Sequence, residues 1–154
     1  MSKDYKYYGH TITDIVSVGT VSKEDTIIKY YPDFRMLYIE VDNVYIKFSS
    51  VEQYSRLQVE FVDKVDYSFE IDEDMEYAMS SLLDIVLVGR DMIGNDINQI
   101  LYYDKEEKDN ILCKACEIRL ANGQIIFLDP SFLCGISIGG IAQKEYYMEC
   151  NSSK

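Results

Sequence analysis

The chain has 154 residues, one domain's worth, with 15 Lys and Arg against 27 Asp and Glu and a net charge of −12. At 47% hydrophobic and 27% charged residues it is too apolar for a disordered segment. That charge argues against nucleic acid, whose phosphates need a basic face, and no apolar run is long enough for a transmembrane helix. The first residues, Met1 to Tyr5, lack the apolar stretch of a secretory leader, so a cytoplasmic location with reduced thiols is the expectation.

Taken in chain order, the pattern reads as strands. From Arg35 to Phe48, Leu37, Ile39 and Val41 alternate with polar residues, and so do Val44, Ile46 and Phe48, with the hairpin residue Asn43 between. A polar crossing spans Ser49 to Arg56. A long strand follows, with Leu57, Val59, Phe61, Val65, Tyr67, Phe69 and Ile71 on one parity. Asp72-Glu73-Asp74 reads as a linker. Glu73 to Met79 reads as an irregular or helical turn, and a strand is expected from about Leu82. Asp104 to Asn110 carries six consecutive charges and has no core to join, so it is a solvated loop or hairpin tip. Leu112 to Leu120 reads as a strand that puts Cys113 and Cys116 on opposite faces. Asn122-Gly123 is a strong hairpin signal. Asp129-Pro130-Ser131 signals a turn, and Gly139-Gly140 a bulge or bend in the last strand.

The chain also repeats itself. Asp14-Ile15-Val16-Ser17-Val18-Gly19 recurs 70 residues on as Asp84-Ile85-Val86-Leu87-Val88-Gly89. Ile28-Lys29-Tyr30-Tyr31 resembles Ile100-Leu101-Tyr102-Tyr103 at offset 72. From Ile39 and Ile118 the offset is 79, and it matches Ile46 to Ile125, Phe48 to Phe127, Leu57 to Ile136, Val59 to Ile138 and Tyr67 to Tyr146. In that register Cys116 replaces Leu37 and Cys150 replaces Ile71, so both read as small core hydrophobes. The expected fold is all-β with minor short helices. It is an antiparallel sandwich or partly closed β-barrel of about ten strands, built from two pseudo-symmetric copies over 7–71 and 77–150.

Catalytic, metal and cofactor signals are weak. The single histidine, His10, lies far along the chain from every cysteine, so a Cys–His pair has little support. The Cys113/Cys116 pair lacks the second knuckle of a zinc site, and the acidic run from Asp63 to Glu76 lacks the glycine of a calcium loop. No catalytic, metal or cofactor residue is assigned, and no enzymatic activity is expected. The surface carries the signal instead. A dozen surplus negative charges attract a basic partner. The 14 tyrosines include four adjacent pairs, Tyr7-Tyr8, Tyr30-Tyr31, Tyr102-Tyr103 and Tyr146-Tyr147, each expected to turn one ring outward.

In size, charge, β-richness and the segment Asn122 to Pro130, the chain resembles the small acidic immunity proteins of bacterial polymorphic toxin and contact-dependent growth inhibition systems. That resemblance implies stoichiometric inhibition of a basic protein toxin domain, of the nuclease kind, with no membrane or nucleic-acid partner. The expected contacts are Asp72, Glu73, Asp74, Asp104, Glu106 and Glu107, at loops or strand ends, with Tyr102 and Tyr103. The alternative is a β-barrel that holds a small molecule in an unfilled interior.

Overall fold

A computed structural model describes residues 6–22, 28–66, 73, 75–87, 94–107, 109–132 and 135–151. Its strands are β1 (Ile12–Ser22), β2 (Tyr30–Val41), β3 (Val44–Val51), β4 (Arg56–Val62), β5 (Met75–Ser81), β6 (Ile97–Tyr103), β7 (Glu106–Glu107), β8 (Ile111–Cys113), β9 (Ala115–Leu120), β10 (Ile125–Phe132) and β11 (Gly135–Gly139). Two helices, α1 (Leu83–Val86) and α2 (Ile141–Asn151), complete it. One antiparallel sheet runs β5-β1-β2-β3-β4-β8-β7, its last strand only two residues long. The other runs β11-β10-β9-β6. The two sheets face each other across a shared core and do not close into a barrel. Leu37, Ile39, Ile46, Phe48, Leu57, Ile118, Ile126 and Leu128 fill the space between them.

The sheets are two versions of one meander. β1-β2-β3-β4 corresponds to β6-β9-β10-β11, strand for strand. Ile12 pairs with Val41, the register shifts once, and Ile15 pairs with Ile39. In the other sheet Ile97 pairs with Leu120, the register shifts at the same place, and Ile100 pairs with Ile118. The true offset of the first strand is therefore 85, not 70 or 72. Gly9 and Gly94 precede it with φ of +84° and +83°, left-handed values that glycine adopts at little cost. The pseudo-twofold axis passes through an antiparallel bridge between Thr11 and Asp96. Around it Ile12 N–H donates to the Asn95 carbonyl at 3.1 Å, and Ile97 N–H to the His10 carbonyl at 2.9 Å.

The hairpins differ by one residue. Asp42 and Asn43, at φ 48° and 68°, make a two-residue turn that sets Ile39 opposite Ile46 and Leu37 opposite Phe48. These are the paired positive values of a tight hairpin turn. In the second copy Ala121, Asn122 and Gly123 form a three-residue loop, and Leu120 N–H reaches the Gln124 carbonyl at 3.0 Å. Ile118 then faces Ile126, and Cys116 faces Leu128. So Ile126 and Leu128, not Ile125 and Phe127, take the places of Ile46 and Phe48. Phe127 turns to the outer face, because a one-residue slip reverses a strand's faces. The offset of 79 holds again in the fourth strand, where Leu57 and Ile136 both reach the inter-sheet core.

Several expectations reverse. Residues Met75 to Ser81 form a strand and Leu83 to Val86 a helix, the opposite of the order expected. β5 pairs along β1, from Ser22 opposite Met75 to Val16 opposite Ser81, and this pairing overrides its Met- and Ala-rich helical pattern. α1 then turns Leu83 and Val86 onto the core. Asp84 to Val86 are thus not the counterpart of Asp14 to Val16, and Val88 and Gly89 lie outside the described residues. Tyr30 and Tyr31 open β2 whereas Tyr102 and Tyr103 close β6, so that match is not structural either.

Asp129-Pro130-Ser131 lies within β10 rather than turning. Gly139-Gly140 ends β11 and leads into α2, where Gln143 and Lys144 N–H reach the Gly140 carbonyl at 3.1 and 3.3 Å. β4 ends at Val62, short of the long strand expected, and Tyr67 to Ile71 lie outside the described residues. A bend at Lys114 carries the chain from the first sheet (β8) to the second (β9), and both Cys113 and Cys116 reach the shared core. Cys116 does take the place of Leu37. Cys150 is exposed on α2 and Cys134 is outside the described residues.

Candidate functional site

The residues expected to bind a partner do not converge. Glu73 lies beside β5, and Glu106 and Glu107 form β7 at the opposite edge of the same sheet. Six inter-strand steps separate those edges, about 29 Å along the sheet. Asp72 and Asp74 lie outside the described residues. At the β7 edge two of these acids have cations beside them. Asp104 pairs with Lys114 at 3.2 Å, and Glu106 approaches Arg56 at 4.0 Å.

Tyr102 and Tyr103 point to opposite faces, as neighbours in a strand must, yet neither is fully outside. Tyr102 packs against the inter-sheet core. Tyr103 lies beneath α2 with Phe127 and Tyr147, at ring distances of 5.7 and 6.0 Å. Of the other pairs, Tyr31 and Tyr146 are exposed and Tyr147 is buried.

The exposed apolar surface gathers elsewhere. Strand register sets Tyr31, Thr20 and Tyr77 in one row across β2, β1 and β5, with Val18 and Met79 in the next. Directly opposed residues share a face, here the outer face of the larger sheet. Nearer its middle that face is covered. Val65 packs on the cluster of Val16, Val18 and Tyr38, and the Tyr38 hydroxyl donates to the Asp66 carbonyl at 3.3 Å. Beyond it Tyr31, Tyr77 and Met79 are 48%, 40% and 56% exposed, with exposed Glu73 just ahead of β5, while Glu76, next to Tyr77 in the strand, points to the other face. Of this surface only Tyr31 and Glu73 had a sequence signal. Tyr77 and Met79 were hidden by the helical reading of β5.

The outer face of the smaller sheet is covered by α2. Glu117, on the outward parity of β9, has no exposed side-chain surface. It accepts hydrogen bonds from Tyr103 at 2.7 Å, Arg119 at 2.6 Å and Lys144 of α2 at 2.8 Å. Burial pushes its carboxyl up, but the three donors outweigh burial and hold it below the usual carboxylate value. This carboxylate fastens α2 to the sheet. The alternation of β9 gave no hint of it, because its main partner, Lys144, lies 27 residues on and reaches it only through α2.

His10 pairs through Nδ1 with Asp42 at the hairpin tip, bordering a cleft of about 230 Å³ with Tyr7, Val41 and Val44. Its counterpart Asn95 is joined in the same way to the other tip, through Asn122 Nδ2 at 3.0 Å. The pair repeats a structural clasp. Among the described residues no three His, Cys, Asp or Glu side chains form a metal-holding group. Comparison with protein-family models, curated proteins and solved structures finds no match to this chain.

Proposed function

We propose that this protein binds a basic protein domain stoichiometrically and neutralises it, the role of an immunity protein against a cationic nuclease toxin. The observation that carries this reading is the outward row of Tyr31, Tyr77 and Met79, with exposed Glu73 just ahead of β5, on a chain of net charge −12. Large amphipathic rings supply contact area, and the excess negative charge of the chain draws a cationic partner. The resemblance to immunity proteins supplies the toxin; the surface supplies only the chemistry of the partner.

The test is binding to a basic toxin domain encoded by a neighbouring gene, where there is one, measured by calorimetry at low and high salt. One-to-one binding that weakens as salt rises supports the reading. Tyr77→Ser with Met79→Asp then weakens it by about 2 kcal/mol, as loss of a central apolar contact does. No binding to that domain at low salt overturns it.

A further inference from the structure

We propose that the groove between α1, the tip of the β9–β10 hairpin and the start of α2 receives an aromatic side chain of the basic partner, flanked on the partner by Lys or Arg. This rests on the basic-partner reading above.

The molecule itself displays what such a seat holds. In the first half Tyr7 lies flat on Phe61, ring centres 4.9 Å apart and planes 12° from parallel, and is only 6% exposed. Val44 packs against the same cluster. The paired strands give the second-half counterparts. Phe48 faces Val59 and Leu128 faces Ile138, so Phe61 corresponds to Gly140 and Val44 to Gln124. The ring stacked on Tyr7 and the valine at the hairpin tip are therefore replaced, one by hydrogen and one by an amide.

A groove of about 790 Å³ borders these two residues, lined by Ile85, Val86, Gln124, Ile125, Gly140 and Ile141. Ile85 is 77% exposed and Ile141 54%, two large apolar side chains on its walls open to water. Exposed Asp84 adjoins Ile85, and exposed Glu145 lies one helical turn beyond Ile141. An apolar seat with an acidic rim fits a ring carried between cations. Residue 92, which is 85 beyond Tyr7, is a methionine outside the described residues.

The probe is acetyl-Lys-Tyr-Lys-amide, titrated into the full chain labelled with ¹⁵N and methyl ¹³C, with acetyl-Lys-Ala-Lys-amide as the control. The expected result is saturable shifts at Gln124, Gly140, Ile141 and the Ile85 methyl. Binding of the alanine peptide should be about tenfold weaker, the difference that burying one aromatic ring makes. Ile85→Asp, at an exposed site that does not support the fold, should abolish the tyrosine-dependent part. The added charge alone would strengthen lysine binding. Equal binding of the two peptides, shifts elsewhere, or an unchanged titration in Ile85→Asp overturns the proposal. A silent wild type that responds once Met92→Gly is introduced also overturns it, since the chain would then fill its own groove. Calorimetry against the basic domain is a separate measurement, so loss of this seat and loss of the partner are told apart.

Discussion

Thr11 donates its hydroxyl hydrogen to Asp96, the residue that stands at its own position in the second half of the molecule. Two four-stranded meanders meet at this point, where β1 and β6 begin. A bond on the axis is shared by both halves, so breaking it loosens both. Asp96→Ala and Thr11→Val should each cost about 1.5–3 kcal/mol, the range for a hydrogen bond to a charged group. Because they remove the same bond, the double variant should cost clearly less than their sum. Urea denaturation of the four proteins checks this; simple additivity would show that the two side chains act independently.

The meander itself was legible. Leu37-x-Ile39-x-Val41 and the Asn122-Gly123 turn state strand and hairpin directly, and the offset of 79 correctly joins Leu37 to Cys116 and Leu57 to Ile136. The rest depended on contacts distant in sequence. Asp-Ile-Val-x-Val-Gly is a composition that any buried strand shares. The true correspondence, Gly9, Ile12 and Ile15 with Gly94, Ile97 and Ile100, is stretched by a bulge and so reads faintly. The slip at Phe127 follows from one extra loop residue, which pattern alone does not count. The acidic residues were visible one by one, but their separation onto opposite sheet edges is set by strand order.

That slip makes neighbouring residues report on different layers. Phe127 packs under α2 with Ala115 and Tyr147, and Leu128 packs between the sheets. Phe127→Ala should cost about 3–5 kcal/mol and Leu128→Ala about 2–5. Hydrogen exchange should separate them. Phe127→Ala speeds exchange in α2 before the sheets, while Leu128→Ala speeds the whole core together. The same pattern in both variants would contradict the two-layer assignment.

Thiol chemistry follows the same division. Burial pushes the Cys113 thiol up to about 12, although Ala115 N–H, Arg56 and Lys105 pull the other way, and Cys116 is enclosed between the sheets. Since the thiolate is the reactive form, neither should label in the native protein at neutral pH. Cys150, exposed on α2, should label within minutes. Mass spectrometry of alkylated peptides before and after denaturation decides it, and early modification of Cys113 would place its strand outside the core.

Glu117 and Tyr103 make the attachment of α2 sensitive to pH at both ends of the scale. Glu117 is held below its usual value of 4.5 in the fold. Its contribution is therefore complete above the carboxyl range of the unfolded chain and is lost as pH falls through the lower folded value. Tyr103 is pushed up to about 12, first by burial, then by its hydrogen bond to Glu117 and that group's charge. Its contribution is whole below about 10, the unfolded tyrosine value, and is lost as pH rises towards 12. Glu117→Gln removes the charge that both effects share. The variant should lose stability at neutral pH and show a flatter acid limb. Its Tyr103 ring-carbon resonance should titrate at lower pH than in the parent. If that resonance stays put in Glu117→Gln while α2 keeps its exchange protection, Glu117 is not what fastens the helix.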